Sequence, residues 1–350
     1  MASEDPVLLS RTGHAALLTL NRPRALNALT HRMVGLIDAA LTAWQQDDSV
    51  RTVVVSGAGT RGLCAGGDIR AVREDALQGG RGAPAFWRDE YRLNARIARY
   101  PKPYVAFMDG IVMGGGVGIS AHGGVRIVTE RSRVAMPETG IGLVPDVGGT
   151  FLLSRSPGEL GTHLALTGAA VGAADAILCK LADHVVRSAD LPALTAALGE
   201  GTPRQAVRAF AAEPAEGELA AQREWIDVCY AADDVEEIVA RLLDHGHPAA
   251  KQAAETILTR SPTALKATLA VLRAARQLPT LEAALDAEYR ATCAAFALPD
   301  LPEGVRAQIV DKDRRPRWTP ARLHEVGEAD VARFFAEPED GGLGLAAALG

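Results

Sequence analysis

Glu138 and Asp146 are the two residues of this chain whose types and surroundings best suit acid–base or nucleophilic work. Both stand among apolar neighbours, Met136, Ile141, Leu143 and Val144. Acidic residues so placed are seldom there for stability. A carboxylate held away from water can accept a proton or attack carbon. Two glycine sites lie upstream. Gly114-Gly115-Gly116 follows an apolar run, Tyr104 to Met108, and the break at Asp109-Gly110; it leads into Val117, Ile119, Ser120 and Ala121. Gly66-Gly67 stands ahead of Asp68 in GLCAGGDIR, residues 62 to 70. A strand running into glycines and then a helix aims backbone N–H groups outward at the helix N-terminus. Glycine lets a ligand approach the main chain closely. Taken singly, each glycine is a turn and each carboxylate a solvated group. Taken together, they offer donors for a developing oxyanion and two acids to work on the same group.

Other chemistries find less support. Ser120, His122 and His163 could be combined into a triad, but no G-x-S-x-G elbow is present. Neither H-E-x-x-H nor C-x-x-C occurs, so no metal site is expected. The four cysteines, Cys64, Cys179, Cys229 and Cys293, are widely spaced and read as reduced thiols of a cytoplasmic protein. A net charge of -6, with no basic run, argues against nucleic acid as a partner. No apolar run approaches the ~18 residues that span a bilayer, so no membrane partner is expected. The opening MASEDPVLLS is acidic and lacks the apolar region of a secretory signal, and it is not Arg-rich like a transit peptide. A homo-oligomer is left open.

The elements that must position these residues follow from periodicity. Ala15 to Leu20 and Val53 to Val55 read as strands, as do Tyr104 to Met108, Arg126 to Thr129, Arg133 to Met136 and His184 to Val186. Thr30 is an N-cap for a helix with Met33, Leu36, Ile37, Ala40, Leu41 and Trp44 on one face. Asp68 is placed to cap a helix after the first glycine pair. Gln78 to Pro84 reads as a loop or hinge. Phe86 to Arg99 is helical, with Trp87, Tyr91, Asn94 and Ile97 in register and Glu90 on its solvated face. Leu160 to Thr167 and Ala173 to Lys180 are helical too. From Ser188 to residue 300 the chain is Ala-rich, charged and helical, with amphipathic stretches at Val235 to Leu243 and Ala264 to Leu272. The fold class is α/β. The expected division is an active-site core over 1–190, a helical region over 191–335 and a frayed tail over 336–350. Residues 303 to 318 could cover a site or an adjacent subunit.

CAGGDI (Cys64 to Ile69), GIVMGGGVG (Gly110 to Gly118) and MPETGIGLVPDVGG (Met136 to Gly149) together resemble the crotonase, or enoyl-CoA hydratase/isomerase, superfamily. The resemblance runs from about residue 7 to about 330 and includes LNRPRALNALT, SPTALK and EGVRAQIVDKD. It implies a spiral of ββα units with a helical C-terminal region, and an acyl-CoA thioester whose carbonyl oxygen is held by two backbone amides. Matched residue by residue, those amides are Gly67 and Gly115. Gly66, Asp68, Gly114 and Ala25 are implied to bind substrate. Superfamily hydratases carry a glutamate just after the triple glycine, where this chain has Gly118, and glycine where this chain has Asp146. Glu138 with Asp146, plus Glu90 as a substrate-binding carboxylate, is the pattern of a thioester hydrolase. The implied reaction is cleavage of 3-hydroxyisobutyryl-CoA to the free hydroxy acid and CoA, a step of valine breakdown. Glu138 would act as nucleophile or general base, Asp146 would orient water or hold a proton near the thiolate, and Glu90 would read the 3-hydroxyl. No cofactor is implied beyond the CoA of the substrate. Gly140 departs from the pattern, where alanine is expected. The rivals are a hydratase or isomerase of the same superfamily and a catalytically silent interaction protein.

Overall fold

The computed structural model describes residues 5–339 and 341–347. The chain divides into two compact units built from interleaved segments. The first comprises 1–68, 89–135 and 171–217; the second comprises 69–88, 136–170 and 218–350.

The first unit holds both sheets. The larger has seven strands, in the order Val7–Thr12, Ala15–Leu20, Thr52–Gly57, Tyr104–Met108, Val125–Val128, His184–Val186 and Ala211–Ala212. Its central pairings are parallel, and antiparallel pairs close both edges. Val53, Val54 and Val55 stand opposite Tyr104, Val105 and Ala106. These strands read as continuous apolar runs because both faces are covered, as parallel sheets require. The smaller sheet has three parallel strands, Gly62–Cys64, Ile111–Met113 and Arg133–Ala135. Three times the chain leaves a strand of the large sheet and enters the next strand of the small one. This is the strand–strand–helix repetition that the resemblance implied. The first strand, Val7–Thr12, was not foreseen, since its exposed Leu8 and Leu9 spoil any alternation.

Thr30 caps the helix His31–Gln45 as expected, its hydroxyl accepting from the Met33 N–H at 3.2 Å. The helices Leu191–Glu200 and Pro203–Phe210 also belong to the first unit. Leu194, Leu198, Ala206 and Val207 bury against Val54, Val105, Phe107 and Ile127 of the large sheet. The change of texture at Ser188 therefore marks a rise in helix content. The compact unit continues past the boundary expected at 190, because those helices supply the sheet with an apolar cover.

The second unit is helical. Its longest elements are Pro262–Ala275 and Leu281–Phe296, each with an N-cap hydroxyl, Ser261 and Thr280, accepting from the backbone. The expected loop at 78–84 is cut short, since the helix Gly82–Ala98 begins within it and Asp75 accepts from the Ala83 N–H at 2.8 Å. Residues 303 to 318 fold back on this same unit. Arg306 binds Glu303, Asp311 and Asp313, and the Trp318 indole donates to Thr259 O at 3.0 Å. The tail expected to fray is tied down over its described residues. The Leu345 and Ala346 N–H groups each donate to Asp286 at 2.9 Å, and Leu343 is buried. Residues 340 and 348–350 of that tail, and 1–4 of the opening, lie outside the described residues.

Candidate active site

The small sheet explains the glycine sites. Its strands are parallel, with Cys64 opposite Val112 and Met113 opposite Ala135, so their C-terminal ends share one edge. Gly66-Gly67 and Gly114-Gly115 both leave from that edge. Gly66 has φ +109 and Gly114 φ +49, conformations that side chains resist. The Leu29 N–H donates to Gly66 O at 2.8 Å and the Asp68 N–H to Leu29 O at 2.7 Å, which fixes Gly67 between them. Among the described residues, the N–H groups of Gly67 and Gly115 donate to nothing. They are also neighbours, since a Cβ placed on Gly115 would stand 3.4 Å from Gly67 N. That Cβ would lie 2.5 Å from Glu90 Oε1 and 3.2 Å from Leu29 Cδ1, so position 115 excludes a side chain. Two unused amides side by side, beside a carboxylate, have the arrangement that the donor half of an oxyanion site requires.

Glu90 corrects its expected place. It is 2 % exposed, within a helix whose Tyr91 and Leu93 are also buried. Asn94, one turn on, is fully buried, and neither its amide oxygen nor its amide nitrogen has a hydrogen-bond partner among the described residues. Spacing alone placed Asn94 in the helix and gave it no role. Asp68 accepts from Arg22 at 2.9 Å. Arg22 precedes the turn Pro23–Ala25, whose Ala25 is exposed. The next residue, Leu26, accepts from the Ala65 N–H at 3.0 Å, which joins that turn to the Gly66-Gly67 loop. Gly118 is buried in the short helix Gly115–Gly118, and no carboxylate stands at that position.

The second unit carries the acids. Glu138 opens the turn Glu138–Ile141, which ends at Gly142 with φ 78. The Leu143 N–H donates to Glu138 O at 3.0 Å. The Glu138 side chain is 5 % exposed, and its Oε2 has no partner among the described residues. Burial, then the charges of Asp146 and Glu288, push its pKa well above the usual glutamate value. Asp146 is buried as well and heads a bend through Val147, φ 53, and Gly148, φ 80. Glu288, on the helix Leu281–Phe296, accepts from Gly148 N at 2.6 Å, from Thr150 N at 2.8 Å and from the Thr150 hydroxyl. Burial pushes the Glu288 pKa to about 8, with Asp146 adding to the rise and the three donors opposing it. Glu138 and Glu288 therefore both hold their protons more tightly than a solvated glutamate. Among the described residues no three His, Cys, Asp or Glu side chains are grouped to hold a metal ion.

Glu288 escaped notice in the sequence, although a signal was present. Leu281, Leu285, Glu288 and Thr292 share the buried face of their helix. The departure at Gly140 has a physical reason. A methyl there would stand 3.0 Å from Nη1 of Arg260, whose guanidinium donates to Thr167 O.

The sequence matches the enoyl-CoA hydratase/isomerase family over residues 15–335. The curated mitochondrial 3-hydroxyisobutyryl-CoA hydrolase of Rattus norvegicus is 41% identical over 346 residues, covering 94% of this chain and 88% of that protein. A crystal structure named as a carnitinyl-CoA dehydratase from Mycobacterium thermoresistibile is 53% identical, with a TM-score of 0.94 over 97% of this chain and 98% of the other. One named as an enoyl-CoA hydratase from Rhodobacter sphaeroides is 44% identical, with a TM-score of 0.91 over 97% of this chain and 99% of the other. These names disagree on the reaction, and the disagreement has to be resolved by the side chains.

Proposed function

The chain belongs to the enoyl-CoA hydratase/isomerase family, and on that premise we propose that it hydrolyses 3-hydroxyisobutyryl-CoA to 3-hydroxyisobutyrate and CoA. One observation carries the choice among the family's reactions. Glu138 and Asp146 are both buried carboxylates, whereas position 118, where the resemblance places the second acid of a hydratase, is glycine. Adding water across a double bond needs an acid and a base at that pair of places. Cleaving a thioester needs a group to act on the carbonyl carbon and another to handle the leaving thiolate.

In this reading Gly67 N–H and Gly115 N–H take the thioester oxygen as it gains charge. Glu138 acts on the carbonyl carbon, directly as nucleophile or by taking a proton from water. Its raised pKa marks a carboxylate poorly solvated in its resting state, as a reactive base or nucleophile should be. Asp146 holds a proton near the departing sulfur. The C–S bond breaks, water supplies the hydroxyl of the new acid, and its proton ends on CoA. Glu90 accepts from the substrate's 3-hydroxyl. Every step is carried by the chain's own groups, and CoA arrives with the substrate. The unbranched 3-hydroxypropionyl-CoA, which keeps the same hydroxyl, belongs to the same substrate class. The four cysteines are free thiols, which suits a reducing compartment. No helix among the described residues is long and apolar enough to cross a membrane.

The second reading is hydration or dehydration, favoured by the names of the two solved structures. A panel of acyl-CoAs decides between them. The expected result is release of free thiol from 3-hydroxyisobutyryl-CoA with no change in enoyl absorbance from crotonyl-CoA or 3-hydroxybutyryl-CoA. Enoyl turnover without thiol release overturns the hydrolase reading. Single turnover in 18O-labelled water then separates nucleophile from base, by whether the label first enters Glu138 or the product.

A further inference from the structure

We propose that Glu288 is a positioning residue for Asp146, holding the bend that carries the Asp146 carboxyl group during thioester cleavage; the proposal rests on the reading of Asp146 given above. The bend is an unusual one. Val147 is β-branched and sits at φ 53, and Gly148 follows at φ 80. A β-branched residue in the left-handed region is an outlier that persists only where its surroundings over-determine it.

The hydrogen bonds show what does so. Three successive N–H groups after the bend are all consumed. Gly148 N and Thr150 N both point to Glu288, while Gly149 N turns back to Asp146 O at 2.6 Å. The Thr150 hydroxyl adds a second bond to Glu288 Oε1. Two amides and a hydroxyl gathered around one side chain hold the bend in the conformation which that side chain fits. The enclosing group comes from a helix far along the chain, so the bend cannot be an accident of local sequence.

A carboxyl group suits this role. Ionised, it presents acceptors alone on both oxygens, which matches the three donors that surround it. A glutamine of the same shape would turn an N–H toward either Gly148 N or the Thr150 donors. The side chain is also an odd choice for an anchor, since it is fully buried and lies near enough to Asp146 for their charges to interact. A neutral acceptor would fasten a purely structural turn at lower electrostatic cost. The carboxylate is explained if its job is to fix an acid next to it.

The test is a double-mutant cycle on the full chain with 3-hydroxyisobutyryl-CoA, using wild type, Glu288→Gln, Asp146→Ala and the double variant. Glu288→Gln should lower kcat by about 10- to 100-fold, the scale of an ångström-sized misplacement, and leave KM within about threefold. In the Asp146→Ala background the same change should cost less than about twofold, because there is no longer a carboxyl group to place. Glu288→Asp, which keeps both acceptors, should recover part of the loss. A loss of equal size in both backgrounds overturns the proposal, as does an unchanged kcat or an effect confined to KM. If Asp146→Ala is itself as fast as wild type, the reading of Asp146 falls first and takes this proposal with it. Should Glu288→Gln fail to give a cooperative thermal transition, Thr150→Val replaces it. That variant deletes one donor to Glu288, and its expected loss of about two- to fivefold in kcat should vanish in the Asp146→Ala background; persistence there counts against the proposal.

Discussion

In the reaction proposed above, the two units are assigned contributions of different kinds. The first offers main chain: two amide N–H groups at glycines, placed by the shared edge of a three-stranded parallel sheet. The second offers side chains: Glu138, Asp146 and Glu288, all buried. A backbone donor has a fixed dipole, indifferent to its neighbours' protonation, and its position is set by local strand and turn geometry. A buried carboxyl group has no fixed charge. Its state depends on burial and on every other acid close by, so its behaviour belongs to the group. The first region should therefore fail in a stepwise manner when one donor is lost, and the second in a coupled manner.

The largest effect should come from Glu138→Gln. A neutral amide is neither a useful base nor a nucleophile, and general-base contributions alone run to about 100- to 10,000-fold. We expect acyl-CoA to bind much as before while kcat falls by about 1000-fold or more. Turnover within about tenfold of wild type removes Glu138 from the chemistry.

The next effect tests the main-chain half. Gly115→Ala and Gly115→Pro both push a Cβ toward Glu90 Oε1, where only 2.5 Å is available. Only proline also deletes the N–H. The difference between the two variants therefore isolates the donor from the crowding. Proline should be slower than alanine by about 100- to 1000-fold, the cost of one oxyanion donor. Thermal unfolding and CoA binding are measured alongside, so that misfolding is not read as lost catalysis. Equal rates for the two variants would break the assignment of Gly115.

The contrast between the units also accounts for what the sequence disclosed. Gly66-Gly67 and Gly114-Gly115 were legible because their conformations demand glycine and because apolar runs lead into them. The burial of Glu138 and Asp146 was legible because apolar residues flank them locally. The burial of Glu90 was not, since the cover over it comes from tertiary packing, and helical spacing cannot tell a buried polar position from a wet one. Glu288 and Asn94 do share a register with apolar residues of their helices, but spacing gives a buried polar residue no partner and hence no role. The boundary at 190 misled because composition reports secondary structure, whereas a compact unit is decided by what the helices Leu191–Glu200 and Pro203–Phe210 bury against.

Asp146 tests the coupling within the acid group. Asp146→Gly, which restores the residue the resemblance gives to hydratases, should slow hydrolysis by about 10- to 100-fold without creating hydration, because position 118 still lacks an acid. The pH profile should move as well. The charge of Asp146 helps to raise the Glu138 pKa, and Glu138 works only when ionised. The acid limb of kcat/KM therefore lies above the usual glutamate range in wild type and shifts to lower pH when Asp146 becomes glycine or asparagine. An unmoved limb would separate the two acids and undo the contrast drawn between the units.

The smallest effect is expected at Asn94, and it tests whether side chains also serve in the first unit. Asn94 is fully buried with both polar atoms of its amide unpaired among the described residues. Buried polar groups in native proteins are nearly always paired, and an unpaired one costs about 1–3 kcal/mol. The chain tolerates that cost at a position one helical turn from Glu90, which suggests that the amide is kept for the substrate. Leucine has a similar volume and no polar atoms. If the amide binds the acyl group, Asn94→Leu should raise the midpoint of thermal unfolding while lowering kcat/KM by about tenfold, the trade of stability for function seen at binding sites. The loss should be larger for 3-hydroxyisobutyryl-CoA than for isobutyryl-CoA if Asn94 shares the hydroxyl with Glu90. A more stable variant with unchanged kcat/KM on both substrates would mean that the amide does nothing for catalysis, and the first unit would act through its two glycine amides and Glu90 alone.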